Sequence, residues 1–253
     1  MPGGEGIKGD QTGKKLEMLR GKTAVIFDLD GTLIDSMWLW KEIDIEYLGR
    51  FQIPYPEDLP DGIGGMSFSE TAVFFQNYFQ LPRTVEEIME DWNEMALWKY
   101  THEIALKPGA KEFLHHLKAA GIKLGIATSN SRGLVDEVLK AQDIYELFDV
   151  IRTGCEVGKG KPAPDIYLSV AKELGVAPKD CLVFEDVAEG IQAGKHAGMT
   201  VCAVEDEYSA YQIEEKRRLA DYLLASFDRL EEAENLQDLG GKTEEATEGC
   251  AYV

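Results

Sequence analysis

Short apolar runs that alternate with amphipathic helical patterns constrain the fold of this chain more than any other feature. Runs of buried-strand length lie at 24–27, 122–127, 148–151, 181–184 and 199–204. Between them, apolar residues recur at helical spacing, as Leu134, Val135, Val138 and Leu139 do. The alternation predicts an α/β fold, in which helices cover both faces of a parallel sheet.

One long segment interrupts this rhythm. From residue 37 to residue 106, helical patterns follow one another without a strong strand between them, around 37–50, 67–80 and 84–101. We therefore expect a helical insertion at 37–106, which divides the α/β core into 21–36 and 107–230. All four tryptophans fall inside the insertion.

The two ends of the chain differ from the middle in composition. Residues 1–20 are rich in Gly and Lys and lack the apolar stretch of a signal peptide, so we expect a disordered N-terminal extension there. From residue 231 onward, the chain contains seven acidic residues and a single basic one, Lys242, and apolar residues no longer recur at a regular spacing. This composition predicts a solvated, mobile acidic tail at 231–253.

The charge of the chain narrows the classes of partner. With 46 acidic and 26 basic side chains, the formal net charge is −20, which argues against binding to nucleic acid or to an anionic membrane surface. The four cysteines form no Cys-x-x-Cys pair, and no run is long enough to span a bilayer. We expect a cytoplasmic protein whose oligomeric state is open, with a monomer favoured.

Two carboxylates directly follow the first apolar run. Because side chains alternate along a strand, Asp28 and Asp30 point to the same side and Leu29 points to the other. Two such acids repel each other unless a cation or a proton separates them. With that charge neutralised, one carboxylate can attack phosphorus while the other protonates the leaving oxygen. A plain polar turn or a calcium loop is the alternative, although the later ligands of a calcium loop are missing.

Three further polar motifs occur along the chain. Thr128 and Ser129 follow the second run, where they could bind phosphate or simply cap a helix. Lys161 precedes a proline, which favours an extended backbone, and Glu185 and Asp186 follow the fourth run, where carboxylates suit Mg²⁺ or cap a helix. Three of the four motifs thus lie at carboxyl ends of predicted strands, where open α/β sheets bind their ligands.

In these four motifs the chain resembles the haloacid-dehalogenase-like (HAD) superfamily, in the branch of sugar-phosphate phosphatases and β-phosphoglucomutase-like proteins. The resemblance covers residues 23–230. It implies a Rossmann-like, doubly wound parallel sheet with an α-helical cap domain inserted after the first strand. It also implies that Asp28 is the nucleophile that becomes an aspartyl phosphate. Asp30 would protonate the leaving group and then activate water.

The same resemblance implies two sets of ligands. Mg²⁺ would be held by Asp28, the main-chain carbonyl of Asp30, Asp186 and, directly or through water, Glu185. The phosphoryl group would be held by Thr128, Ser129 and Lys161. The expected function is a magnesium-dependent phosphatase that acts on a small phosphorylated metabolite, such as a sugar or polyol phosphate.

Departures from the mutase relatives guide the choice of activity. Those relatives carry an Arg after the cap serine, where Ser67 is followed here by Phe68, and a His at the position of Trp40. Loss of the Arg removes a bidentate grip on a second phosphate. We therefore expect hydrolysis, with a phosphosugar mutase and a catalytically weak binding or regulatory protein as the alternatives.

Further residues of the insertion could select the substrate. Trp38 and Trp40 closely follow the first motif and could stack on a sugar or base ring, although such residues more often belong to a core. The loop that contains Gly65 and Ser67, followed by Phe68, is expected to lie over the site and to move as the site opens and closes.

Overall fold

A seven-stranded sheet forms the centre of the computed structural model, which describes residues 16–236. Its strands are β1 (Ala24–Phe27), β2 (Lys123–Thr128), β3 (Val150–Thr153), β4 (Cys181–Glu185), β5 (Thr200–Val204), β6 (Tyr222–Leu224) and β7 (Glu234–Asn235). Their order across the sheet is β3-β2-β1-β4-β5-β6-β7, with β1 to β6 parallel and β7 antiparallel to β6.

Helices cover both faces of this sheet. The helices are α1 (Met37–Arg50), α2 (Leu59–Ile63), α3 (Phe68–Tyr78), α4 (Val85–His102), α5 (Ala110–Ala119), α6 (Arg132–Ala141), α7 (Asp165–Leu174), α8 (Ala188–His196) and α9 (Ile213–Leu219). Along β1, Val25 and Phe27 belong to one apolar cluster, whereas Ala24 and Ile26 belong to another. Because both faces of a central strand are buried, the strand reads as a continuous apolar run. The expected α/β class with a doubly wound sheet is confirmed.

The helices α1 to α4 occupy the segment for which an insertion was expected. Two of them begin at capping boxes, in which Ser67 and Thr84 exchange side-chain and backbone hydrogen bonds with Glu70 and Glu87. An aromatic cluster joins these helices, since Trp92 of α4 packs edge-on against residues of α1 and α3. The domain boundaries themselves stay a prediction.

Both chain ends differ in part from expectation. Met18, in a short 3₁₀ turn, is 3% exposed and packs into the core, so disorder was the wrong expectation for residues 17–20. Strand β7 pairs with β6, and Leu236 donates to the carbonyl of Asp221 at 2.9 Å. The expected mobile tail was therefore wrong for residues 231–236, because backbone pairing at a sheet edge needs no apolar pattern. The remaining residues of both predicted segments, 1–15 and 237–253, lie outside the described residues.

Candidate active site

A cavity of about 480 Å³ lies at the carboxyl edge of the sheet, beneath the helices α1 to α4. Because parallel strands all end at this edge, residues far apart in sequence meet there. The sequence motifs converge on this cavity, which is lined by Asp28, Asp30, Thr128, Ser129, Lys161, Glu185 and Asp186. No helix of the described residues has the length and apolar character needed to cross a bilayer.

Lys161 links two of the acidic motifs. Its Nζ donates to Asp28 Oδ1 at 2.6 Å and also to Glu185 Oε1. Burial lowers the pKa of Lys161, but the two carboxylates outweigh that effect and raise the pKa well above its usual value. Lys161 is therefore a fixed cation beside the proposed nucleophile.

Glu185 is the partner that holds this lysine in place. Its Oε1 also accepts from the Tyr167 hydroxyl at 3.2 Å, and its Oε2 accepts from the Val187 amide at 3.0 Å. Gly190 leaves room for the carboxylate, because a Cβ at that residue would lie 1.7 Å from Oε1. With both oxygens engaged, Glu185 positions Lys161 and offers little to a metal ion.

Asp30 is held by four donors. Its Oδ1 accepts from Ser36 Oγ at 2.6 Å, from Trp40 Nε1 at 3.3 Å and from the Tyr100 hydroxyl. Among the described residues, the one donor to its Oδ2 is Asn130 Nδ2, at 2.8 Å. Since Oδ1 is crowded with donors, Oδ2 is the oxygen with capacity left to carry a proton.

Three of these donors, Ser36, Tyr100 and Asn130, were missed in the sequence. Tyr100 lies on α4, 70 residues from Asp30, and no local pattern links the two. Asn130 directly follows the Thr128-Ser129 motif, so the polar run after β2 was a usable signal. The acid is thus fixed by side chains from two distant parts of the chain.

Asp186 also has donors on both oxygens. Thr32 Oγ1 donates to Oδ1 at 3.0 Å and Ser209 Oγ donates to Oδ2 at 3.4 Å. Lys216, which is fully buried, donates in turn to Ser209 Oγ at 2.7 Å. Gly31 has a φ of +77°, and a Cβ there would lie 2.4 Å from Asp186 Oδ2. Only glycine therefore lets the turn after β1 approach this carboxylate.

The acids of the cavity carry an excess of negative charge. Burial raises the pKa of Asp186 to about 7, assisted by the nearby Glu185 and Asp206. Burial likewise raises the pKa of Asp28 well above its usual value; Lys161 opposes this shift, and Glu185 and Asp186 add to it. Lys161 beside Asp28, and Lys216 and Lys107 near Asp186, oppose these shifts without cancelling them, so the cavity favours an additional cation.

The donor set suits Mg²⁺ in particular. Within residues 16–236, no group of three or more His, Cys, Asp or Glu side chains is arranged to hold a metal ion. Mg²⁺ does not require such a cluster, since it usually binds one or two carboxylates and keeps several waters. Asp28 and Asp186 are two buried carboxylates on the cavity wall, and they are the residues that could hold it.

The phosphate-binding candidates lie where β2 meets α6. Thr128 is buried, and its Oγ1 accepts from the Asn130 amide at 3.1 Å. The carbonyl of Ser129 accepts from the Phe68 amide at 2.7 Å. This second bond ties the first residue of α3 to the sheet edge and closes one side of the cavity.

The insertion residues named from the sequence divide into two groups. Trp40, Gly65 and Phe68 line the cavity. Trp38 lies outside it and donates from Nε1 to the Asp35 carbonyl, while Ser67 is used as the N-cap of α3. Two residues apart on α1, Trp38 and Trp40 point about 200° apart around the helix, so only one of them can face the substrate.

Comparison with known proteins agrees with this geometry. The family model described as haloacid dehalogenase-like hydrolase matches residues 25–204. A phosphorylated carbohydrates phosphatase of Thermotoga maritima is 34% identical over 176 residues, 70% of this chain and 82% of that protein. The β-phosphoglucomutase of Bacillus subtilis is also 34% identical, over 72% of this chain and 82% of that protein. Identity alone therefore does not separate phosphatase from mutase.

A solved structure of a related protein has a similar fold. CbbY from Rhodobacter sphaeroides in complex with phosphate superimposes with a TM-score of 0.74 at 28% identity, covering 83% of this chain and 96% of that chain. The prediction of a phosphoric monoester hydrolase is confirmed by the named phosphatase among the relatives. The chain belongs to the haloacid dehalogenase-like hydrolase family.

Proposed function

We propose that this chain is a magnesium-dependent phosphatase that hydrolyses a small phosphomonoester, such as a sugar or polyol phosphate, through a phosphorylated Asp28. The observation that carries the proposal is the meeting of Asp28, Asp30, Lys161 and Asp186 in one cavity. This set supplies a nucleophile, an acid, a cation and a carboxylate for the metal.

The first half of the reaction forms an acyl phosphate on the enzyme. A carboxylate oxygen of Asp28 bonds to phosphorus as the bond to the leaving oxygen breaks, and Asp30 gives its proton to that oxygen. The charge of Lys161 offsets negative charge on the phosphoryl oxygens and on Asp28, and Thr128 provides a hydroxyl to the same group. Bound Mg²⁺ would neutralise further charge on the phosphoryl oxygens.

The second half releases phosphate. Asp30 now takes a proton from water, whose oxygen bonds to phosphorus as the bond to Asp28 breaks. Both oxygens of Asp30 keep their protein donors through the cycle, so one orientation serves both proton transfers. Inorganic phosphate and the free alcohol are the products, and Asp28 and Asp30 return to their starting states.

Mutase activity finds less support in the cavity. Phe68, at the position where mutase relatives carry an Arg, is 6% exposed and packs edge-on against Trp40 and Trp92. An apolar ring there offers no charge to a second phosphate. Trp40 stands where those relatives carry a His and donates a hydrogen bond to Asp30.

A substrate panel tests the proposal. Purified protein is incubated with sugar, polyol and aryl phosphates, with Mg²⁺ and with EDTA, and released phosphate is measured. We expect steady release with Mg²⁺ and its loss with EDTA. Rapid interconversion of β-glucose 1-phosphate and glucose 6-phosphate with a bisphosphate activator would favour the mutase. Binding to a partner without turnover on any ester would favour the regulatory protein.

A further inference from the structure

A partly buried carboxylate of the cavity has no hydrogen-bond or ion-pair partner among the described residues. Asp44, on α1, lines the cavity and is only partly exposed. Among the described residues it forms neither a hydrogen bond nor an ion pair, unlike Asp28, Asp30, Glu185 and Asp186. Partial burial, with no donor to offset it, raises the pKa of Asp44 to about 7.

The surroundings of Asp44 are acidic and aromatic. Lys41, one turn earlier on α1, has its Nζ 5.8 Å from the centre of the Tyr55 ring. Glu57 and Glu189 line the same cavity. Of the described residues lining the cavity, the basic ones are Lys41 and Lys161, and Lys161 is already paired with Asp28 and Glu185. The described lining of the cavity therefore carries more negative than positive charge.

We propose that Asp44 accepts hydrogen bonds from hydroxyl groups of the substrate's leaving group. The site would thus select phosphomonoesters of uncharged sugars or polyols over esters that carry a second phosphate or a carboxylate. This inference rests on the proposed phosphatase function and names the class of leaving group that the enzyme accepts.

The chemistry of a lone carboxylate supports this assignment. A carboxylate has two acceptor oxygens, and a polyol can offer them two hydroxyl donors. Asp44 is partly buried and has no protein donor among the described residues, so a ligand that supplies donors provides hydrogen bonds that this carboxylate otherwise forms only with water. A second anion in the cavity would instead enter a lining that includes Asp44, Glu57 and Glu189, in which Lys41 is the one lysine of the described residues not already paired with carboxylates.

The volume of the cavity is compatible with a sugar or polyol ester. A cavity of about 480 Å³ is in the range of small-molecule sites. Aromatic rings of Trp40, Tyr55 and Phe68 also line it, and such rings pack against the CH faces of a sugar while the hydroxyls turn to polar groups. The cavity thus provides both an apolar and a polar surface to a polyol.

The test compares three kinds of ester. Glucose 6-phosphate, ribose 5-phosphate and glucitol 6-phosphate supply hydroxyls, glucose 1,6-bisphosphate adds a second phosphate, and phenyl phosphate has no hydroxyl. The variants are Asp44→Asn, which keeps the shape of the side chain, and Asp44→Leu, which removes both acceptors. Asp58→Asn, an exposed aspartate outside the cavity lining, is the matched control. Circular dichroism and thermal unfolding check that each variant is folded.

The expected readout is a ratio of kcat/KM values. For the best polyhydroxyl ester relative to phenyl phosphate, we expect this ratio to fall at least about 10-fold in Asp44→Asn and further in Asp44→Leu, because charge-assisted hydrogen bonds are lost. Asp58→Asn should leave the ratio as it is. The wild type should also prefer glucose 6-phosphate to glucose 1,6-bisphosphate.

Two results would overturn the inference while leaving the phosphatase proposal intact. One is a ratio in both Asp44 variants that stays within about twofold of the wild type. The other is a wild-type preference for the bisphosphate. If the wild type releases phosphate from none of the esters, phenyl phosphate included, the proposed function itself fails, and the inference about Asp44 fails with it.

Discussion

The two walls of the active-site cavity differ in how completely their polar groups are paired. On the sheet side, Asp30 has four donors, Glu185 has three and Asp28 is paired with Lys161. On the side of the inserted helices, Asp44 has no partner among the described residues, and the buried Trp92 Nε1 there also has none. The sheet side is preorganised for one reaction. On the helical side, Trp40 and Tyr100 donate to Asp30, whereas Asp44 keeps its acceptor oxygens for a substrate.

Loss of the nucleophile on the sheet side should have the largest effect. We expect Asp28→Asn to lower kcat at least about 10³-fold, because an amide cannot form the acyl phosphate. The amide oxygen can still accept from Lys161, so the fold should persist. Phosphate release with Mg²⁺ measures the effect, and Asp58→Asn is the control. Near-normal turnover in Asp28→Asn would assign the attack to another group.

Loss of the acid should depend on the leaving group. We expect Asp30→Asn to lower kcat about 10²- to 10⁴-fold for an alkyl phosphate. The loss should be much smaller for 4-nitrophenyl phosphate in a burst measurement of the first step, because nitrophenolate leaves without a proton. Equal losses for the two esters would show that Asp30 does not protonate the leaving oxygen.

The pH dependence of the free energy of unfolding should report on Asp186 on the sheet side and on Asp44 on the helical side. The folded-state pKa values of Asp186 and Asp44 are both raised to about 7, whereas unfolded aspartate titrates at about 3.9. Between these values the folded protein binds more protons than the unfolded chain, so the free energy of unfolding should fall as pH rises from 4 to 7.

Variants and added Mg²⁺ then distinguish the contributions of Asp186 and Asp44 to this pH dependence. Asp186→Asn and Asp44→Asn should each flatten the fall of stability with pH, as measured by urea unfolding in EDTA. Excess Mg²⁺ should offset the contribution of Asp186 and leave that of Asp44. A metal effect on the Asp44 contribution alone would contradict the assignment of Asp186 as the metal ligand.

The smallest effect should come from a single donor to Asp30. Trp40→Phe removes an N–H donor whose Nε1 lies 3.3 Å from Asp30 Oδ1 and 2.8 Å from the Tyr100 hydroxyl, and it keeps an aromatic ring near Phe68. One neutral hydrogen bond contributes about 1 kcal/mol, so we expect kcat to fall about 5-fold with KM little changed. A loss as large as that of Asp30→Asn would show that Trp40 does more than orient the acid.

The sequence predicted the sheet side of the cavity better than the helical side. Asp28, Thr128 and Asp186 follow apolar runs directly, so a local pattern marks them and the parallel sheet brings them together. Asp44 and Tyr100 lie within amphipathic helices, where a polar residue looks like any solvated position. Their roles depend on which helix face meets the cavity, and that is decided by packing between distant segments.

The strands likewise divide into those that the sequence predicted and those that it did not. The runs of β1, β2, β4 and β5 were predicted to within about one residue, because each is buried on both faces. The three-residue β6 and the two-residue β7 were not predicted. Strands this short are formed by pairing with a neighbour at the sheet edge and carry too few residues for a period of two to be recognised.

The donors that hold Asp30 come from both walls of the cavity. Asn130 follows β2, whereas Trp40 and Tyr100 belong to α1 and α4. Asp30 is therefore held by donors from both the sheet side and the helical side. A compound that binds between these sides and moves α1 and α4 away from the sheet would remove two hydrogen-bond donors from Asp30 without contacting Asp28. Under the proposed mechanism, such a compound would disturb proton transfer from Asp30 to the leaving oxygen. The contact region between α1, α4 and the sheet is therefore a candidate inhibitor site outside the charged phosphate pocket.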